Sequence, residues 1–85
     1  MHHTNPRFWE CYKALAEPVR RTADRCYELL REDPSHPSLH FKKIGKYWSV
    51  RAGSAHRALG IEIEDGILWF WIGTHAEYER LVQQG

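Results

Sequence analysis

The sequence predicts an α+β fold: an N-terminal helical hairpin packed on a three- to four-stranded antiparallel sheet, closed by a short C-terminal helix. Three observations predict it. Apolar residues recur at helical spacing in the first third of the chain and at strand spacing after residue 38. Proline-marked breaks punctuate the helical stretches. Asp65-Gly66, the strongest hairpin signal present, lies between two apolar segments. With 85 residues, the chain reads as one domain, 1–85, too short to divide into two cored units.

Each element follows from local chemistry. Asn5-Pro6 opens a helix, with asparagine as N-cap and proline at the first helical position. Phe8, Tyr12 and Leu15 form its apolar stripe. After a short break near Ala16, Glu17-Pro18 restarts the pattern, and Val19, Ala23, Cys26, Tyr27 and Leu30 carry it to the stop at Asp33-Pro34. Residues 35–38 form a loop. Leu39 and Phe41 then alternate with His40 and Lys42 in a first strand, and Gly45-Lys46 turns the chain. Trp48 and Val50 alternate with Ser49 and Arg51, ahead of a turn at Gly53-Ser54. Leu59, Ile61 and Ile63 alternate with Gly60, Glu62 and Glu64. Residues 67–72 are continuously apolar, as in a strand covered on both faces. Thr74 caps a short helix over residues 75–84, with Tyr78, Leu81 and Val82 on its apolar side. The lead-in, residues 1–5, is too short and polar to read as a strand, and His2-His3 reads as a frayed, incidental pair.

The composition, 42% hydrophobic and 27% charged, is that of a folded globular chain and excludes disorder. No apolar run reaches the roughly 20 residues of a membrane span, and no secretory core follows Met1, so a cytoplasmic location is expected. Two cysteines, Cys11 and Cys26, are too few for a disulfide scaffold. They read as small buried hydrophobes, with a helix–helix disulfide or a reactive thiol as the alternatives. His36 and His40 are separated by Pro37 and cannot share a helical face, so no metal site is expected. There is no phosphate-binding glycine loop, no dinucleotide pattern and no nucleophile motif, so no cofactor is expected.

Charge is unevenly placed. Residues 34–61 hold Lys42, Lys43, Lys46, Arg51 and Arg57 and no acid, whereas the rest carries 7 basic and 11 acidic groups. A basic layer suits a polyanion or an acidic protein partner. Lys42 or Lys43, Arg51 and Arg57 lie on successive strands about 4.8 Å apart, and His75 and Tyr78 follow the last strand. Lysine, arginine, histidine and tyrosine suit RNA cleavage by attack of a 2′-hydroxyl on the adjacent phosphate. That reaction needs a base, an acid and cations around the phosphorane. Structural readings stand beside this one: His75 as a cap or packing group, Tyr78 as core, and Arg57 paired with Glu62 or Glu64.

Four segments carry a resemblance: His36-Pro37-Ser38-Leu39-His40-Phe41-Lys42-Lys43-Ile44; Tyr47-Trp48-Ser49-Val50-Arg51; Arg57-Ala58-Leu59; and Trp71-Ile72-Gly73-Thr74-His75-Ala76-Glu77-Tyr78. In order and spacing they resemble the RelE/ParE superfamily of bacterial type II toxins. The resemblance implies a compact toxin neutralised by a cognate antitoxin that covers the basic sheet. In the RelE-like branches it implies a metal-independent endoribonuclease that cuts messenger RNA on the ribosome. Carried onto this chain, it makes His75 the acid or base, and Arg51 and Arg57 the stabilisers of phosphate charge. Lys42, Lys43 and Lys46 become the RNA-backbone contacts, and Tyr78 the group that positions the RNA. Two alternatives share the fold: a ParE-like inhibitor of DNA gyrase without acid–base chemistry, and a degenerate module that only binds an antitoxin. The family opens with a strand and is strongly basic; this chain has a polar lead-in and a net charge of +1.

Overall fold

The computed structural model describes residues 1–84. In chain order the elements are β1 (His2–Thr4), α1 (Pro6–Lys13), α2 (Glu17–Glu32), a 3-10 turn (Pro37–Leu39), β2 (Lys42–Ile44), β3 (Tyr47–Arg51), β4 (His56–Ile63), β5 (Gly66–Thr74) and α3 (His75–Gln84). The helix starts follow the sequence punctuation. Asn5 Oδ1 accepts the Phe8 amide at 3.0 Å, and Pro6 takes the first helical position. Residues 14–16 join the two helices, and the Tyr12 hydroxyl donates to Asp24 across them at 2.8 Å. That bond, and burial, raise the Tyr12 pKa above its ordinary value.

The sheet has five strands in the order β1-β5-β4-β3-β2, and it is mixed rather than wholly antiparallel. β1 is the correction to the sequence reading. Residues 2–4 do form a strand, paired parallel to β5 with His2 opposite Ile67 and Thr4 opposite Trp69. His2 and His3 are therefore not frayed. The His2 ring stacks on Trp69 at 6.0 Å, and its Nδ1 accepts the indole N–H at 3.1 Å. His3 reaches the Asp65 carboxylate at 3.3 Å. Gly66 permits this docking, because a Cβ there would lie 1.8 Å from the Met1 carbonyl oxygen.

A second correction concerns the start of β2. Leu39 and His40 are not strand residues. Leu39 ends the 3-10 turn, fully buried, and His40 adopts a left-handed conformation (φ 45°) that breaks the alternation. The strand begins at Lys42.

The register of β4 and β5 slips between Leu59 and Gly60, which face Trp71 and Trp69 respectively, leaving Phe70 as the extra residue. The bulge shifts the alternation so that Trp69 and Ile72 share one face while Trp71 takes the other, and the uninterrupted apolar run reflects the covering of both faces. Trp69 and Ile72 join Leu30, Leu39, Val50, Ala52 and Ala58 in one core beneath the helical hairpin. Trp71 joins Leu59 and Tyr78 in a second core beneath α3. Gly60 is a close approach: a Cβ there would meet Ile67 at 2.7 Å and the Trp69 ring at 2.9 Å. From α3, Tyr78, Leu81 and Val82 pack into this second core, at roughly 2 kcal/mol for a fully buried aliphatic side chain, and so dock the helix.

Candidate active site

The site begins with the cap of α3. Thr74 Oγ1 accepts the Glu77 amide at 3.2 Å, and the Glu77 carboxylate accepts the Thr74 amide at 3.1 Å and its hydroxyl at 2.9 Å. This reciprocal capping box fixes the first turn. The backbone and hydroxyl donors of Thr74 hold the Glu77 carboxyl below the usual carboxylate range. The His75 amide donates to the Ala55 carbonyl at 2.9 Å, tying the turn to the loop before β4.

Arg57, on β4, is the central group. It stands opposite Arg51 on β3 and Gly73 on β5. Although charged, it is only 8% exposed. Its Nε donates to His75 Nδ1 at 3.1 Å, and its guanidinium lies 5.1 Å above the centre of the Tyr78 ring. Its Nη1 is buried with no partner among the described residues. A desolvated cation with an unused donor gains from pairing with an anion, which reaches Nη1 once the side chain shifts toward solvent. The sequence reading that paired Arg57 with Glu62 or Glu64 is replaced by this contact with His75.

His75 is half exposed at the edge of the cluster. Its ring centre lies 5.5 Å from that of Tyr78, and Nε2 is 2.9 Å from the Glu79 carboxylate. Tyr78 is 6% exposed and packs with Leu59 and Trp71, so it is a core residue that meets the site through its ring face. His75, Arg57 and Tyr78 are thus brought together. Arg51 stands beside them in the ladder, half-buried, with no ion pair among the described residues.

The lysines divide. Lys42 opposes Ser49 and by alternation shares the Arg51–Arg57 face. Lys46, in the β2–β3 turn, sits 5.4 Å above Tyr47. Lys43 opposes Trp48 on the helical-hairpin face, 6.0 Å from that ring and 4.0 Å from the Glu62 carboxylate. The folded surface is therefore not acid-free: Glu62 serves Lys43, and Glu79 serves His75. Glu79 is the residue the sequence reading missed. Its signal was the i,i+4 spacing from His75 within the terminal helix.

Elsewhere, a cavity of about 450 Å³ lies between β1, the two N-terminal helices and the sheet, lined by Phe8, Tyr12, Tyr27, Trp69 and others. Arg51 borders it, but His75, Arg57 and Tyr78 do not. Cys11 and Cys26 are half-buried free thiols. Among the described residues no group of three or more His, Cys, Asp or Glu could hold a metal ion, and no helix is long and apolar enough to cross a membrane.

No family model matches the sequence, and no curated protein matches it significantly. Solved structures do match. The RelB–RelE antitoxin–toxin complex from Methanococcus jannaschii aligns with TM-score 0.70 and 17% identity, over 93% of this chain and 96% of that one. The isolated E. coli RelE toxin aligns with TM-score 0.61 and 13% identity, over 99% and 96%. The intact E. coli RelBE complex gives TM-score 0.61 and 13% identity, over 87% and 94%. The chain therefore shares its fold with the RelE structures, and the Arg57–His75–Tyr78 cluster lies at the junction of β4, β5 and α3.

Proposed function

We propose that the protein is the toxin of a type II toxin–antitoxin pair, acting in the cytoplasm as a ribosome-dependent endoribonuclease on messenger RNA. The observation that carries this reading is Arg57. A buried guanidinium, stacked on Tyr78 and tethered to His75, keeps an unpartnered N–H beside a histidine able to move protons. In the reaction, the 2′-oxygen bonds to phosphorus and the P–O5′ bond breaks, giving a 2′,3′-cyclic phosphate and a free 5′-hydroxyl. His75 is the acid or base that moves a proton in this exchange. Arg57 and Arg51 neutralise the phosphorane. Lys42 and Lys46 bind the flanking backbone from the same face; Lys43 contributes from the sheet edge once released from Glu62. Tyr78 carries the resting guanidinium on its ring face, next to His75. No metal or small-molecule cofactor enters this scheme. The partner is a cognate antitoxin, in line with the RelB–RelE complexes among the similar structures, and its acidic or apolar helical residues cover the basic face.

A second reading, inhibition of DNA gyrase by binding alone, is favoured by one feature: a net charge of only +1, low for a ribosome-bound protein. Controlled expression in bacterial cells separates the two. The nuclease reading predicts that amino-acid incorporation stops first. If thymidine incorporation stops first while translation continues, the gyrase reading replaces it.

A further inference from the structure

We propose that Glu79 is a positioning residue that fixes His75 in the Nε2–H tautomer and so makes Nδ1 the reacting nitrogen. The tautomer half of this inference stands on contacts alone; the reacting half rests on the nuclease reading.

A neutral imidazole has one donor nitrogen and one acceptor nitrogen. Arginine does not deprotonate in proteins, so Arg57 Nε is a donor and the 3.1 Å contact requires a lone pair on His75 Nδ1. The ring proton must then sit on Nε2, and there the Glu79 carboxylate accepts at 2.9 Å. In the other tautomer both contacts turn repulsive: N–H would face N–H at Arg57, and a lone pair would face the carboxylate. His75 is the one basic partner of Glu79 among the described residues. The two sit one helical turn apart on α3, whose first turn is held rigid by the Thr74–Glu77 cap.

The arrangement couples to substrate. Arg57 Nη1 has no acceptor, so an incoming phosphate draws the guanidinium toward itself and off the ring. The Nδ1 lone pair is then released while Glu79 still holds Nε2. Nδ1 takes the 2′-hydroxyl proton as the 2′-oxygen bonds to phosphorus and the P–O5′ bond breaks. The imidazolium returns that proton, through water, to the leaving 5′-oxygen. The carboxylate that set the tautomer also balances the transient imidazolium charge.

The test is long-range ¹H–¹⁵N correlation spectroscopy of the full chain labelled at histidine, together with steady-state cleavage of ribosome-bound message. The wild type is expected to show the Nε2–H pattern at His75. In Glu79→Ala, where Arg57 alone still favours the Nε2–H form, the Nδ1–H tautomer is expected to become detectable and kcat to fall. Glu79→Gln, whose amide oxygen still accepts, is expected to keep the tautomer but lower kcat by about tenfold or more with KM unchanged. An Nδ1–H pattern in the wild type, or a Glu79→Ala variant unchanged in both tautomer and kcat, overturns the proposal. Tautomers that respond as expected in a wild type that cuts no message sustain the positioning role and reject the nuclease reading.

Discussion

Arg57 and His75 lie 18 residues apart in sequence and meet through one 3.1 Å hydrogen bond, with the Tyr78 ring beneath both. The guanidinium is the harder partner to replace, because its planar fork serves the histidine with one N–H and keeps another free. Arg57→Lys preserves the charge but not the fork. Both Arg57→Lys and Arg57→Ala are expected to lower the cleavage rate by roughly 100-fold or more. Rate measurements on ribosome-bound message check this, and a lysine variant with wild-type rate would show that charge alone suffices.

Ser49 is fully buried, and its hydroxyl has no hydrogen-bond partner among the described residues. A buried donor without a partner costs on the order of 1–3 kcal/mol. Ser49→Ala removes it with almost no change in volume and is expected to leave stability unchanged or raise it by about 1 kcal/mol. Urea denaturation measures the difference. A loss of more than about 1 kcal/mol would mean that the hydroxyl is satisfied in solution.

His2 makes the docking of β1 sensitive to acid. Burial, reinforced by nearby positive charge, lowers its pKa from the ordinary value of 6.5. The unfolded chain therefore binds the proton more readily than the folded one. Stability is full above about pH 6.5 and declines as the pH falls through that value toward the lowered one. Protonation at Nδ1 also removes the acceptor for the Trp69 indole. Protection factors along β5 near Ile67, corrected for the intrinsic pH dependence of exchange, should fall on acidification in the wild type. In His2→Phe, which keeps an aromatic ring on Trp69, that loss of protection should be absent; an equal loss in both would assign the effect elsewhere.

The cap of α3 has the same sign of pH dependence in a lower window. Glu77 is held below the usual carboxylate range by the Thr74 donors, so its contribution is present above that range and fades as acid protonates it. Thr74→Ala is expected to cost about 1 kcal/mol at neutral pH and to flatten this dependence. Thermal melts of the two proteins across the acid range provide the check. An unchanged pH profile would remove the capping box from the account.

The parts of the fold legible in the sequence are those written in local chemistry. Asn5-Pro6, Glu17-Pro18, Asp33-Pro34, Asp65-Gly66 and Thr74 each terminate or start an element for a reason internal to a few residues. β1 was not legible, because three polar residues show no periodicity and become a strand only through β5. Leu39 was misassigned because a buried leucine in a 3-10 turn has the same alternation signal as a strand residue. In the site, strand order alone foreshadowed the meeting of Arg57 with His75. The sides taken by Lys42 and Lys43 depend on register, which only the pairing with Ser49 and Trp48 decides. Glu79 was not legible as a partner because it lies outside the acid-free stretch and its carboxylate reaches His75 from the terminal helix.

Cutting of ribosome-bound messenger RNA, with His75 moving the proton, can be measured directly. The direct measurement incubates the purified protein with ribosomes stalled on a defined message, and with the same message free, and maps the ends by primer extension. Cuts are expected on the ribosome-bound message only, with 5′-hydroxyl ends, and should be lost in His75→Ala. Undiminished cutting by His75→Ala would contradict the histidine's role. No cutting by a wild type that still arrests growth would contradict the nuclease itself.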